Sequence, residues 1–325
     1  MIIDCHVHIC ATTPGHGSIS KTLIRSPLFW FMHWRLGLPL SLGSRLERAV
    51  AAKMVEAVTG TELIDAAVVL AFDAVYDRDG NFDPANTHLY VTNDYANEVA
   101  NQHPKLLFGA SVHPYRKDAL AELERCIGMG AVLLKWLPVV QNFNPADERC
   151  FPLYEALAHH RLPLLCHTGG ERSLPTLEFA YADPELLVAA LKRRVTVIAA
   201  HCGTRSRKKE TDFVHSFMRM AREFENLYGD TAALNLPDRS YAYDFILSDE
   251  LVRNKLVHGS DWPIIALPSP ARIGWGKSAR MLFGEKNWMR RDVLIKRQIG
   301  FDDAYWHRAA QLLRLKDQEH SQTAS

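Results

Sequence analysis

Residues 162–170 read LPLLCHTGG and residues 195–203 read VTVIAAHCG. Each is a short apolar run that closes on a histidine and then a glycine. A run that is apolar throughout, rather than at every second position, fits a strand buried on both faces, as in a parallel sheet covered by helices. Six more such runs flank this pair: MIIDCHVHI at the start, AAVVLAF (66–72), LLFGASVHP (106–114), AVLLKWLP (131–138), NLYGDTAAL (226–234) and KLVHGSDWP (255–263). Between them, stretches such as DALAELERCIGMG, CFPLYEALAHHRL and FVHSFMRMAREFE space their apolar residues as helices do. Eight strands alternating with helices predict an α/β chain closed into a (β/α)₈ TIM barrel. The competing doubly wound open sheet would want a Gly-rich phosphate turn after a strand, and the sequence has none.

The chain reads as one domain over residues 1–325 with two departures from a minimal barrel. Residues 11–45 form a long, irregular connection after the first strand, polar first and then carrying Phe29, Trp30, Phe31 and Trp34. Excursions of that length in a compact barrel are lids or pocket walls, so a lid over an apolar pocket is expected, with a homodimer contact as the alternative. Residues 264–325 form a C-terminal extension that ends in the amphipathic stretch DDAYWHRAAQLLRL and a polar, frayed QEHSQTAS.

Charge and cysteine content narrow the function classes. With 38 Lys plus Arg against 37 Asp plus Glu, the formal net charge is +1, which offers no long-range capture of nucleic acid or of an anionic membrane. The basic run RSRKK (205–209) reads as a solvated face rather than a nucleic-acid site. PLFWFMHWRLGLPL (27–40) is too short and too mixed to span a bilayer, so no membrane partner is expected. The opening MIIDCHVHIC reads as neither a secretory signal nor a transit peptide, and the six cysteines have no CxxC pair. A cytoplasmic enzyme with reduced thiols and a small-molecule substrate is the expectation.

The strand ends carry the chemistry. His6 and His8 lie two apart on strand one and so share a side of it. Lys135 sits on strand four, His167 on strand five, His201 on strand six and Asp261 on strand eight. Successive members from Lys135 onward are one, one and two βα units apart, at roughly 30 residues per unit. A residue placed once per unit near a strand's carboxyl end lands on one ring at the top of a barrel, where barrel active sites sit. Four imidazoles and a carboxylate suit Zn²⁺, with Mn²⁺, Fe²⁺ or Ni²⁺ less selectively. A lysine near the barrel centre is costly to bury charged, so it shifts its pKa, finds a partner, or is neutralised by carbon dioxide as a bridging carboxylate.

In DCHVH, LLKWLP, LLCHTGGE, IAAHCG and HGSDWP, the chain resembles the amidohydrolase superfamily, and within it the amidohydrolase-related (amidohydrolase 2) branch of barrel metal-dependent hydrolases. The resemblance runs roughly from Met1 to Pro263. It implies one or two metal ions held by His6, His8, Lys135, His167, His201 and Asp261, with carboxylated Lys135 bridging in the two-metal form. In the one-metal form of the branch, His201 is left free as a base and Lys135 orients substrate. Asp261 is implied as the proton shuttle, which makes Asp261 and His201 the catalytic pair.

Four residues are expected to bind substrate: His113 at the end of strand three, Glu171 four residues past His167, Arg205 as a carboxylate clamp, and Tyr228 on strand seven. Asp230, two residues on, is read either as lining the pocket or as a packing and capping residue, and Trp136 and Trp262 as packing. The reaction expected is hydrolysis of an amide, ester or lactone bond of a small, carboxylate-bearing or aromatic molecule. The alternatives are a metal-dependent non-oxidative decarboxylase of an aromatic or unsaturated acid and a catalytically silent metal-binding barrel.

Overall fold

The computed structural model describes residues 1–315; the QEHSQTAS segment lies outside them. Ten strands form two sheets: β1 (Ile3–His8), β2 (Gly17–Ile19), β3 (Ala66–Leu70), β4 (Leu89–Val91), β5 (Leu106–Ala110), β6 (Leu133–Trp136), β7 (Leu164–His167), β8 (Val197–Ala200), β9 (Leu227–Asp230) and β10 (Leu256–Val257). Eight of them make one parallel sheet in the order β1-β3-β5-β6-β7-β8-β9-β10, matching the eight runs found in the sequence. The last strand has only two residues, so the ring is closed by irregular backbone bonds. Cys5 donates to the His258 carbonyl at 3.1 Å, Asp261 to His6 at 2.9 Å and His8 to Trp262 at 2.7 Å.

Side chains sort into two apolar layers. Inside the lower barrel, Ile3, Cys5, Val68, Leu133, Leu165, Ile198 and Val257 pack together, closed from below by Ala309 and Ala310 of the helix Asp303–Leu312 and by Leu313 just past its end. Outside, the opposite faces of the strands pack against the surrounding helices. Strand alternation then carries the inward series up to the rim, Leu133 to Lys135 and Leu165 to His167. β1 is the exception. Ile3 and Cys5 point inward, so strict alternation would turn His6 outward, but the register against β3 shifts between Asp4 and Val7. That irregularity flips the parity, sending Val7 out and His6 and His8 in.

The connection over residues 11–45 is ordered into short elements, which corrects the irregular segment expected there. β2 pairs antiparallel with β4 and ties the insertion to the loop after β3. Gly17 is required at this seam, since a Cβ there would stand 2.0 Å from the Tyr90 carbonyl oxygen. Phe29, Trp30, Phe31 and Trp34 all lie on the helix Pro27–Leu36, started by the Ser26 hydroxyl, which accepts from the Leu28 N–H, and stopped by left-handed Gly37. The C-terminal extension is also helical, over Pro270–Ile273, Trp275–Gly284, Trp288–Ile299 and Asp303–Leu312. All six cysteines are free, and no helix among the described residues is long and apolar enough to cross a membrane.

The helix Trp288–Ile299 supports the rim from behind. It buries Asp292 and Lys296 one turn apart, joined by an ion pair. Lys296 also donates to the Gly259 carbonyl at 2.8 Å, and Asp292 accepts from the Asn235 amide at 2.7 Å. These contacts hold the segment that leads from β10 into Asp261. Replacing Lys296 by Met leaves the Asp292 carboxylate buried without its cation, and we expect a loss of about 3–5 kcal/mol. Urea unfolding checks this, and a loss under about 1 kcal/mol would refute it.

Candidate active site

Six side chains named from strand position meet at the upper rim. The Nε2 atoms of His6 and His8 lie 3.0 Å apart, and Asp261 Oδ1 is 3.4 Å from the first and 3.3 Å from the second. These three residues each offer one ligand atom within 4.8 Å of the others. Lys135 Nζ stands 3.1 Å from His6 Nε2, with the lysine fully buried. The His6 and His201 rings lie 5.2 Å apart, and His201 and His167 rings 4.9 Å apart, so the imidazoles form a continuous arc.

Hydrogen-bond partners fix which nitrogen each ring presents. His6 Nδ1 is 2.7 Å from Asp230 Oδ2. Nδ1–H donates to the carboxylate, which leaves Nε2 with its lone pair toward His8. His201 Nδ1 is 2.8 Å from the Ala232 carbonyl, an acceptor only, so its Nε2 is likewise a lone-pair atom. His167 is buried with neither ring nitrogen hydrogen-bonded. A buried imidazole without a partner is expensive unless something absent from the protein itself satisfies it. An inward ring of imidazole lone pairs beside a carboxylate has the donor chemistry of a divalent cation site, and the residues fit such an ion.

Burial drives the electrostatics. The pKa values of His6, His167 and His201 are pushed well below the usual imidazole value, chiefly by desolvation and then by Lys135 and Arg239, so all three are neutral near pH 7. Burial likewise lowers that of Lys135, against the pull of Asp230 and Asp261. Asp261 is the opposite case. Burial alone would raise it, but His6 and His8 outweigh that and hold it below the ordinary carboxylate value.

Two site residues sit in left-handed backbone, His201 at φ 61° and Asp261 at φ 65°. A non-glycine residue there costs about 1–2 kcal/mol and persists where the surroundings enforce it. At His201 the enforcing group is Asp230, whose Oδ1 accepts the His201 N–H at 2.7 Å and the Ala232 N–H at 3.1 Å. Asp230 is therefore the group that holds the site together. Its position two residues after Tyr228 at a strand end was the available signal.

The substrate-binding expectations fare unevenly. Glu171 does line the cavity above the ring, its Oε2 3.8 Å from His167 Nδ1 while Oε1 caps the N–H groups of Arg172, Ser173 and Leu174. His113 is corrected: it is fully buried, with Nε2 on the Gln141 carbonyl at 2.8 Å and Nδ1 accepting from Tyr115 N–H at 3.1 Å, so it braces a loop. Arg205 is corrected too, being paired with Asp212 at 2.7 Å and stacked over Tyr241. Tyr228 points inward one layer too low, packing on the cluster that closes the barrel's base. Trp136, with its indole N–H on the Val112 carbonyl, and Trp262 are packing residues as expected.

Above the ring lies a cavity walled by the insertion through Leu28, Phe29, Met32 and Leu36, and by Phe72, Leu137 and Ile264 opposite, with His6, His8, His167, His201, Glu171 and Asp261 along its floor and side. A second cavity meets it at Glu171, His201 and Asp261 and is lined on its far side by Arg172, Arg207 and Arg239.

The family model described as Amidohydrolase matches residues 3–282. No curated protein matches the chain. Among solved structures, an uncharacterized TIM-barrel protein from Bordetella bronchiseptica is similar at 18% identity and TM-score 0.60, over 92% of this chain and 99% of that one. A Pseudomonas putida protein provisionally named a 2-pyrone-4,6-dicarboxylic acid hydrolase has 11% identity and TM-score 0.57, over 96% and 97%. The 5-carboxyvanillate decarboxylase of Sphingomonas paucimobilis has 11% identity and TM-score 0.54, over 97% and 99%. At these identities the likeness is one of fold.

Two outcomes follow from the site's geometry. Asp230→Asn should weaken the grip on His6 and lower the affinity of the site for a divalent cation about 10- to 100-fold, read by calorimetric titration of metal-stripped protein. Burial holds His113 down to about 4, while the unfolded chain takes up that proton near 6.5. Acid therefore favours unfolding: this contribution is intact above pH 6.5 and falls by about 3 kcal/mol as the pH drops to 4. Guanidinium unfolding at pH 7.5 and 5 checks it, with a smaller acid loss expected in His113→Gln.

Proposed function

The chain belongs to the amidohydrolase family, and from that premise we propose that it is a metal-dependent hydrolase that cleaves an ester, lactone or amide bond of a small, largely apolar molecule. The observation that carries this reading is the convergence of His6, His8 and Asp261 on one point, beside a buried His167 whose ring nitrogens make no hydrogen bond, directly beneath a largely apolar cavity.

His6, His8, Asp261 and His167 would hold one divalent cation, with Zn²⁺ the first choice for this donor set. When bound, such an ion supplies Lewis-acid polarisation of a substrate oxygen and makes water a stronger acid. His201 is left out of this ligand set. Its Nδ1 is anchored on the Ala232 carbonyl, which presents Nε2 to the cavity as a proton acceptor for the attacking water. The proton taken by His201 is relayed to Asp261, which faces the same space, and from there to the leaving group, leaving both residues as they began. Lys135, held among Asp230, Asp261 and His6, steadies negative charge that develops on the substrate oxygen. The apolar walls lower the local dielectric around these groups and strengthen each of the interactions.

A panel of aryl esters, lactones, anilides and aromatic acids, assayed with Zn²⁺-loaded protein in ¹⁸O water, tests the reading. One ¹⁸O in the product acid is expected. Carbon dioxide release from an aromatic acid without label would instead establish the lyase. Asp261→Asn should fold normally and lose at least about 100-fold in turnover, and one metal per chain is expected by elemental analysis.

A further inference from the structure

The second cavity carries a buried guanidinium that no ion pair among the described residues neutralises, although the Glu171 carboxylate on the same cavity feels its field. Arg172, one of its three arginines, pairs with Asp238 at 2.5 Å, and a second, Arg207, lies 3.5 Å from Glu210; both are largely exposed. Arg239 is different. It is only 5% exposed, and no carboxylate among the described residues lies within ion-pair distance of it. Its guanidinium is aimed by neutral groups instead, Nη1 donating to the Thr204 hydroxyl at 2.9 Å and Nη2 to the Gly170 carbonyl, while Nε has no partner. A buried cation is costly when unpaired, and a guanidinium held by backbone and hydroxyl oxygens is oriented without being neutralised.

The carboxylates nearby are all engaged. Asp238 has Arg172, Glu171 caps three backbone N–H groups with one oxygen and faces His167 with the other, and Asp261 belongs to the metal-binding group. Arg239 is close enough to depress the basicity of His6, His167 and His201, and it lines the same cavity as His201 and Asp261. The space that joins the two cavities therefore runs from an apolar wall, past the reacting groups, to a guanidinium without an ion-pair partner.

We propose that Arg239 is the specificity-determining residue of this site, receiving the carboxylate of an amphiphilic organic acid whose apolar body lies under the insertion helix. This deepens the hydrolase reading and rests on the same site, with the scissile bond placed between the two ends of the substrate. The Nε edge of the guanidinium is the free side of the fork, and a carboxylate there completes both its hydrogen bonding and its charge. The function that the sequence suggested for Arg205 thus falls to a residue in the loop after β9.

The test is binding, which proceeds without turnover. Zn²⁺-loaded wild-type protein, Arg239→Gln and Arg239→Lys are titrated calorimetrically with 4-phenylbutyrate and with its neutral amide, 4-phenylbutyramide. Wild type should prefer the acid, and Arg239→Gln should lose that preference by about 10- to 100-fold, the range expected for a hydrogen bond to a charged group. Arg239→Lys should restore part of it, as a charge without the fork. The proposal is overturned if Arg239→Gln keeps the wild-type ratio, which would place the acid on the metal alone. It is equally overturned if acid and amide weaken together in both variants, the mark of a purely structural arginine. A retained preference for the acid with no ¹⁸O incorporation from any substrate would sink the hydrolase reading and leave this one standing.

Discussion

Asp230 is the group on which the site depends. One carboxylate at the end of β9 orients the imidazole of His6 on β1, and it also accepts the backbone N–H groups of His201 and Ala232. It thereby spans the barrel from the first strand to the sixth and seventh and holds His201 in a backbone conformation that it would not choose alone. Burial raises its pKa, and the hydrogen bond from His201 leads the interactions that oppose the rise. The same bond that positions His201 thus helps to keep Asp230 charged, and neither residue's arrangement is independent of the other's.

That coupling explains which parts of the site could be read from the sequence. His6, His8, Lys135, His167, His201 and Asp261 were legible because a barrel converts strand number into angular position and strand end into height. Which way a side chain points at that height is set by local departures from alternation, and those leave no mark in composition. The register shift in β1 turns His6 inward, and left-handed backbone redirects His201 and Asp261 after their strands have ended. Tyr228 shows the limit from the other side. It has the same parity as Asp230, yet two residues lower on a strand is a full layer lower in the barrel, in the apolar base rather than the site.

Long-range pairing hides the loop residues more completely. Arg205 and Arg239 are alike as letters, and proximity to His201 in the chain favoured the first. Asp212 neutralises Arg205, whereas Arg239 is turned inward by the carbonyl of Gly170 and the hydroxyl of Thr204, on loops after two other strands. His113 reads as a site residue for the same reason, because it closes a strand. Its two ring nitrogens are both spent on backbone groups of the adjoining loops, so it stiffens the rim without facing the cavity.

Chemistry and selectivity are consequently carried by different kinds of structure. The imidazoles and Asp261 stand at strand ends locked by backbone hydrogen bonds, including those that close β1 against the segment after β10. The apolar wall stands on an insertion tied down elsewhere: by the β2–β4 pairing, by Glu47 accepting from Thr12 and Thr13, and by His33 on the Pro39 carbonyl at 2.6 Å. Phe29, Met32 and Leu36 contribute only surface to the cavity, with no polar link to the ring below. A change among them reshapes what fits without altering the orientation of any imidazole. The ring can remain fixed while the insertion varies, because the two share a cavity but none of the bonds that hold them in place.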